Sequence, residues 1–200
     1  MRKKRKHVFL FFILLILGIG TIGTFVAIGL YNSASNPEVF VRERRSTARR
    51  MYADTVGRDI SENYPNNPTQ LMELYLTSYT LLHGDFIVDP DTFMNVINFQ
   101  RELFSDELRA TTTAREQYDN LMRNLSIFRA EDPTLLQSLI ENVQYDFREQ
   151  RSALVNVEHR FMFQDSLFRV YHLIMDDVDR WRINSWAEAD ENFEILEMPE

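Results

Sequence analysis

ALVNVEHRFMFQDSLFRVYHLIMDD, residues 153–177, reads as two strands around a short polar break. Apolar and polar residues alternate in both runs, the period of two expected of half-buried strands. Asp165-Ser166 is the loop between them. A two-residue loop pairs Gln164 with Leu167, which sets Phe163 opposite Phe168, Phe161 opposite Val170 and His159 opposite His172. Val157 with Ile174, and Trp181 and Ile183 from the next strand, join that face. Two imidazoles then oppose each other on an otherwise apolar surface.

Working outward, Val143, Tyr145 and Phe147 alternate with polar residues and suggest an earlier strand from about Ser138 to Arg148, although Leu135 to Ile140 also suits a helix. RWRINSW, Arg180 to Trp186, is a last strand after a tight turn at Asp177-Val178. Ahead of the strands the period is helical. Asn67 caps a helix with Pro68 at its first position, and Leu71, Leu74, Tyr75, Ser78, Tyr79 and Leu82 share one face up to Gly84. Asp89-Pro90 opens a second helix through about Phe104, with Phe93, Ile97 and Phe104 inward. Ser105 starts a short turn, and Thr113 with Glu116 forms a capping box before Tyr118, Leu121, Met122, Leu125 and Phe128. Asp132-Pro133 breaks the chain. Helices first and an antiparallel meander afterwards predict an α+β domain, helices packed on one face of a curved sheet.

Further towards the N-terminus, Val8 to Tyr31 carries no charge, and 24 residues span a hydrocarbon core of about 30 Å. Arg2, Lys3, Lys4, Arg5 and Lys6 directly precede it, so the N-terminus is expected in the cytoplasm and the rest outside. The apolar run is longer than a secretory h-region, which favours an uncleaved anchor over a signal peptide. The expected organisation is a basic tail (1–7), a transmembrane helix (8–31), an Arg-rich stalk (32–63), the α+β domain (64–187) and an acidic tail (188–200). Arg42, Arg44, Arg45, Arg49 and Arg50 in the stalk could meet anionic headgroups or wall polymers, but such a run is more often a solvated face. The tail is either a last edge segment or a disordered end that docks on something.

Charge excludes one partner class. The chain has 22 Lys and Arg against 30 Asp and Glu, and without the five N-terminal cations the remainder carries about −13 at neutral pH. Nucleic acid, which needs a basic surface, is not an expected partner. Cysteine is absent, so thiol catalysis, cysteine metal sites and a lipoprotein anchor are ruled out. An extracytoplasmic domain without disulfides suits a Gram-positive or anaerobic cell surface.

Several signals together resemble a known pattern. An anchor, a YPxxP-type opening at Tyr64 to Pro68, a Leu/Tyr-rich helix, LFSDEL at Leu103 to Leu108 and a meander closing on RWRINSW resemble an uncharacterised family of membrane-anchored extracytoplasmic proteins of Gram-positive, Clostridia-type bacteria. Its domain is similar to the NTF2-like, cone-shaped α+β superfamily. The resemblance covers roughly Tyr64 to Trp186 and implies no catalytic residue.

His159 and His172 are the catalytic candidates, as a general base tuned by burial or as half of a metal site completed by Asp146 or His83. The plainer reading weighs more: one or both are satisfied near the open end of the cone by Tyr75 or Tyr79 hydroxyls. Tyr75, Tyr79, Phe161 and Trp181 are the expected pocket residues. On the opposite sheet face Leu154, Met162, Tyr171, Leu173 and Met175 form an apolar strip rimmed by Glu158, Arg160, Arg169 and Arg182, either an interface or core under the stalk or tail. No phosphate loop, nucleophile elbow, HExxH or dinucleotide fingerprint occurs, and no metal or other cofactor is expected. These features predict a membrane-anchored protein-binding or assembly module, with a homodimer or an envelope protein as partner. A small-molecule carrier or enzyme using the cone interior, or a scaffold of an envelope or conjugation machine, are the alternatives.

Overall fold

The computed structural model describes residues 37–84, 89–131, 134–146, 151–162 and 164–196. The expected basic tail and membrane span lie outside them, as do Phe147 and Phe163; among the described residues no helix is long and apolar enough to cross a membrane. The chain divides into two compact units, Met1–Ser46 and Thr47–Glu200, and the second is α+β. It takes in residues 47–63, which the sequence assigns to a stalk.

Five helices come first: α1 (Pro37–Asp54), α2 (Pro68–His83), α3 (Pro90–Glu102), α4 (Asp106–Thr111) and α5 (Ala114–Glu131). The starts of α2 to α5 are those the caps announce. The Asn67 side chain accepts from Gln70 N at 2.9 Å and Asp89 from Thr92 N at 2.9 Å. Ser105 Oγ accepts from Leu108 N at 3.1 Å, and the Thr113 amide donates to Glu116 at 2.7 Å while the Glu116 amide returns a bond to Thr113 Oγ1. Each satisfies amides that a helix start leaves open.

Helix α2 is buried on two sides, which explains its nearly continuous apolar sequence. Leu71, Met72, Tyr75 and Tyr79 belong to the core against the sheet, while Leu81 and Leu82 join Phe93, Val96 and Ile97 of α3 in a second core. Ala48, Met51 and Tyr52 of α1 close that second core, together with Tyr118 and Leu121 of α5. Beyond α1, Thr55 is fully buried with its hydroxyl donating to Met51 O at 2.7 Å, and Ile60 enters the first core. Residues whose charge pattern reads as solvated thus contribute their few apolar members to the fold.

Four strands form one antiparallel sheet in chain order: β1 (Leu135–Tyr145), β2 (Ser152–Phe161), β3 (Leu167–Met175) and β4 (Trp181–Ala189). The meander is as expected, and the strand reading of Leu135 to Ile140 prevails over the helical one. Its register differs. The loop between β2 and β3 covers residues 162–166, and His159 pairs with Leu167, Val157 with Arg169, Val155 with Tyr171 and Leu154 with His172. The partner of His159 is five residues from the expected one. An odd shift sends every β3 side chain to the other face relative to β2.

Arg169, Tyr171, Leu173 and Met175 therefore lie with His159 on the helix-covered face, and Val170, His172 and Ile174 turn away. Tyr171 and Leu173, expected at an interface, are fully buried in the first core. Met175 is half-buried against the same core, and Met162 is half-buried in the loop.

At the other end of β3 the turn tightens around Asp176, whose carboxylate takes Val178 N at 3.0 Å and Arg180 N at 2.9 Å. Asp179 sits at φ 57°, a left-handed position that aspartate tolerates better than most residues. Strand β4 runs past Trp186 to Ala189. Asn184 is left without a β3 partner and its side chain accepts from Ser105 Oγ at 2.9 Å. The following residues fold back, with Leu196 N on Glu188 O at 3.0 Å, so the tail up to residue 196 is an edge segment.

Candidate functional site

Under the C-terminal turns of α2, the inner sheet face changes from aliphatic to polar. Val155 and Val157 give way to His159 on β2, Leu173 and Tyr171 to Arg169 on β3, and Val143 and Ile140 to Ser138 on β1. From α2, Tyr75, Tyr79 and His83 face them at helical spacing. The Tyr79 ring stacks on His83 at 4.1 Å and lies 4.8 Å from the His159 ring, while Tyr75 meets Tyr171 edge-on at 5.6 Å.

His159 is fully buried and both its nitrogens are engaged: Nδ1 lies 2.8 Å from Ser138 Oγ and Nε2 lies 3.2 Å from the Tyr171 hydroxyl. Each hydroxyl can donate or accept, so the neutral ring is satisfied in either tautomer. Burial first, then the Arg169 charge and His83, pull its pKa down to about 3. Burial and Arg169 depress the half-buried His83 as well. Burial raises the Tyr75 and Tyr171 hydroxyls, against the pull of Arg169. The site at neutral pH is a guanidinium among neutral rings.

Only some of the expected site residues meet here. Tyr75 and Tyr79 do. His172 pairs with Leu154 and Ser185 on the other face, so the two histidines form neither an acid–base pair nor a metal pair. Phe161 is half-buried at the end of β2, opposite Leu135. Trp181 pairs with Met175, eight residues along β3 from Leu167, roughly 26 Å from the level of His159. It is buried there, its carbonyl accepting from the Tyr64 hydroxyl at 2.8 Å. Asp146 follows β1 at that same far end, and among the described residues no three His, Cys, Asp or Glu side chains are placed to hold a metal ion.

Ser138 and His159 stand at the distance of a nucleophile and its base, but the chemistry does not follow. A ring with its pKa near 3 is a weak base at neutral pH, and a tyrosine, not a carboxylate, holds its far nitrogen. Arg169 escapes the sequence reading because a two-residue loop puts it outside, and Ser138 because a register shift between Ile140 and Asn142 turns it to the face of Val143. Only the length of the β2–β3 loop could have revealed the first.

A second concavity lies elsewhere. An open polar cleft of about 860 Å³ runs between the loop after α1, the outer side of α2 and the β3–β4 turn. Arg58, Glu62, Asn66, Glu73, Asp179 and Arg180 are among its lining residues. None stood out in sequence, since solvated charges near turns are ordinary.

The chain belongs to the family described as Domain of unknown function (DUF6715), whose model matches residues 1–186. No curated protein and no solved structure matches it.

Proposed function

We propose that this chain is a single-pass membrane-anchored protein of a Gram-positive cell envelope. Its N-terminus is cytoplasmic, residues 8–31 are the anchor, and the α+β domain, NTF2-like in layout, acts outside as a protein-binding or assembly module. The uncharged run of Val8 to Tyr31 behind five cations supports the anchor and its direction. Binding rather than catalysis is supported by one observation above others. The interior that would hold chemistry is packed with Tyr75, Tyr79, Tyr171 and a doubly bonded His159, whereas the roomy concavity is the polar surface cleft. Recognition through that cleft replaces the expected sheet-face dimer, whose central residues Tyr171 and Leu173 are core.

The absence of cysteine allows one variant to test both halves. Ser61→Cys places a single thiol at an exposed position of the cleft. On intact cells a membrane-impermeant maleimide is expected to label it, and a benzophenone maleimide at the same thiol to give one discrete cross-linked product on illumination. Labelling only after lysis overturns the topology. Labelling without any discrete product overturns the binding reading.

A further inference from the structure

Arg169 is drawn under α2 by the inner-face register, leaving its side chain 17% exposed. Nη1 donates to the Tyr79 hydroxyl at 3.2 Å. Nε is buried with no acceptor among the described residues. Nη2 stands 3.7 Å from the Glu188 carboxylate, beyond hydrogen-bond length, and that side chain is 60% exposed. Glu188 is the anion paired with this guanidinium, and the histidines around it are neutral. The Tyr171 hydroxyl also bears on the guanidinium. No carboxylate reaches it at hydrogen-bond length, and a buried cation without one is costly.

The unspent donors are specific in shape. Nε and Nη2 form one edge of the planar guanidinium, two parallel donors that match the two oxygens of a carboxylate. The same sheet shows that edge drawn to a carboxylate, there on one oxygen: Arg160 Nε and Nη2 both donate to Glu158 Oε2, at 2.9 and 2.7 Å. We propose that the Nε–Nη2 edge of Arg169 is the receptor for a small monocarboxylate, with Glu188 standing in its approach until the ligand displaces it. Tyr79 fixes the opposite side of the guanidinium through Nη1 and lies beside its plane, 5.9 Å from ring centre to the guanidinium carbon. Leu167 shares the face of Arg169 and the tyrosines pack beside it, so a ligand there must be small. A phosphate dianion fits less well, because no second cation among the described residues faces the site. This inference is independent of the cleft and of what the cleft binds.

The test uses the whole chain labelled with ¹⁵N-arginine at pH 7, titrated with sodium acetate and, separately, with inorganic phosphate. The Arg169 Nε–H signal is identified by its loss in Arg169→Lys. Acetate is expected to move that signal saturably, and phosphate at equal concentration to move it less. By calorimetry, Arg169→Lys, which keeps the charge and loses the fork, is expected to bind acetate at least about tenfold more weakly. Glu188→Gln, an exposed change that leaves the core untouched, is expected to bind about threefold or more tightly, by removing the competing carboxylate. A signal that never saturates with acetate, an equal response to phosphate, an unchanged affinity in Arg169→Lys, or an unchanged or weaker one in Glu188→Gln would each overturn the assignment.

Discussion

Acidification tests the buried histidine directly. The His159 pKa is about 3 in the fold against 6.5 for the free side chain. Between those values the unfolded chain takes up a proton that the folded chain refuses, so the stability is fully present above 6.5 and drains as the pH falls. Each unit within the window costs about 1.4 kcal/mol, and taking the protein from pH 7 to 4.5 costs about 2.7 kcal/mol through His159 alone. That is a large part of the ~5–15 kcal/mol that holds a domain folded. His83 acts in the same direction, by less, because it is half-buried. Carboxylates with lowered pKa values, such as Asp176 and Glu158, start from free values of 3.8 and 4.5, so their contribution is lost chiefly below the pH 7 to 4.5 range. Urea unfolding of the whole chain, followed by the fluorescence of Trp181 and Trp186 at pH 7, 5.5 and 4.5, measures the slope. His159→Gln should be less stable at pH 7 yet lose about 1.4 kcal/mol per unit of the pH dependence. A midpoint that stays level from pH 7 to 4.5, or a slope that His159→Gln leaves intact, would refute a buried neutral imidazole.

Four substitutions probe the rest of the fold. Leu173→Ala should cost about 2–5 kcal/mol and Leu154→Ala under about 1 kcal/mol by denaturant unfolding, because the register buries the first and leaves the second 41% exposed; equal costs would restore the two-residue loop. Tyr64→Phe removes the 2.8 Å bond to Trp181 O and should cost about 1 kcal/mol. Asn67→Ala deletes the cap on Gln70 N and should lower stability by about 1 kcal/mol, with faster amide exchange confined to the first turn of α2.

Local signals carried most of this fold. Asn67-Pro68, Asp89-Pro90 and the Thr113–Glu116 box mark helix starts because a cap is decided within four residues. The four strands and their meander are legible for the same reason. What failed is a quantity that no single residue states. Whether residues 162–166 form two or five positions of loop depends on how far β2 and β3 stay paired, and that is settled by burial of Arg169, Tyr171 and Leu173 against α2. Parity then inverts a whole strand, so one wrong loop length moved Arg169 out of the site and His172 into it. The contribution of residues 47–63 was hidden differently. Met51, Tyr52 and Ile60 are too few among charges to set a pattern, yet each packs in a core built with residues from far along the chain.

Strand β4 bears on how copies of this protein can meet. Along its outer side Leu103 and Ser105 exchange backbone bonds with Ile183, and the returning segment covers Glu188 and Ala189 near its other end. Those contacts fill the positions at which a foreign strand would have to begin pairing. Among the described residues β1 has no such cover. Two chains that join by adding strand to strand would then meet through β1, and the pair so formed turns its partly covered β4 edges outward, which opposes growth into a ribbon.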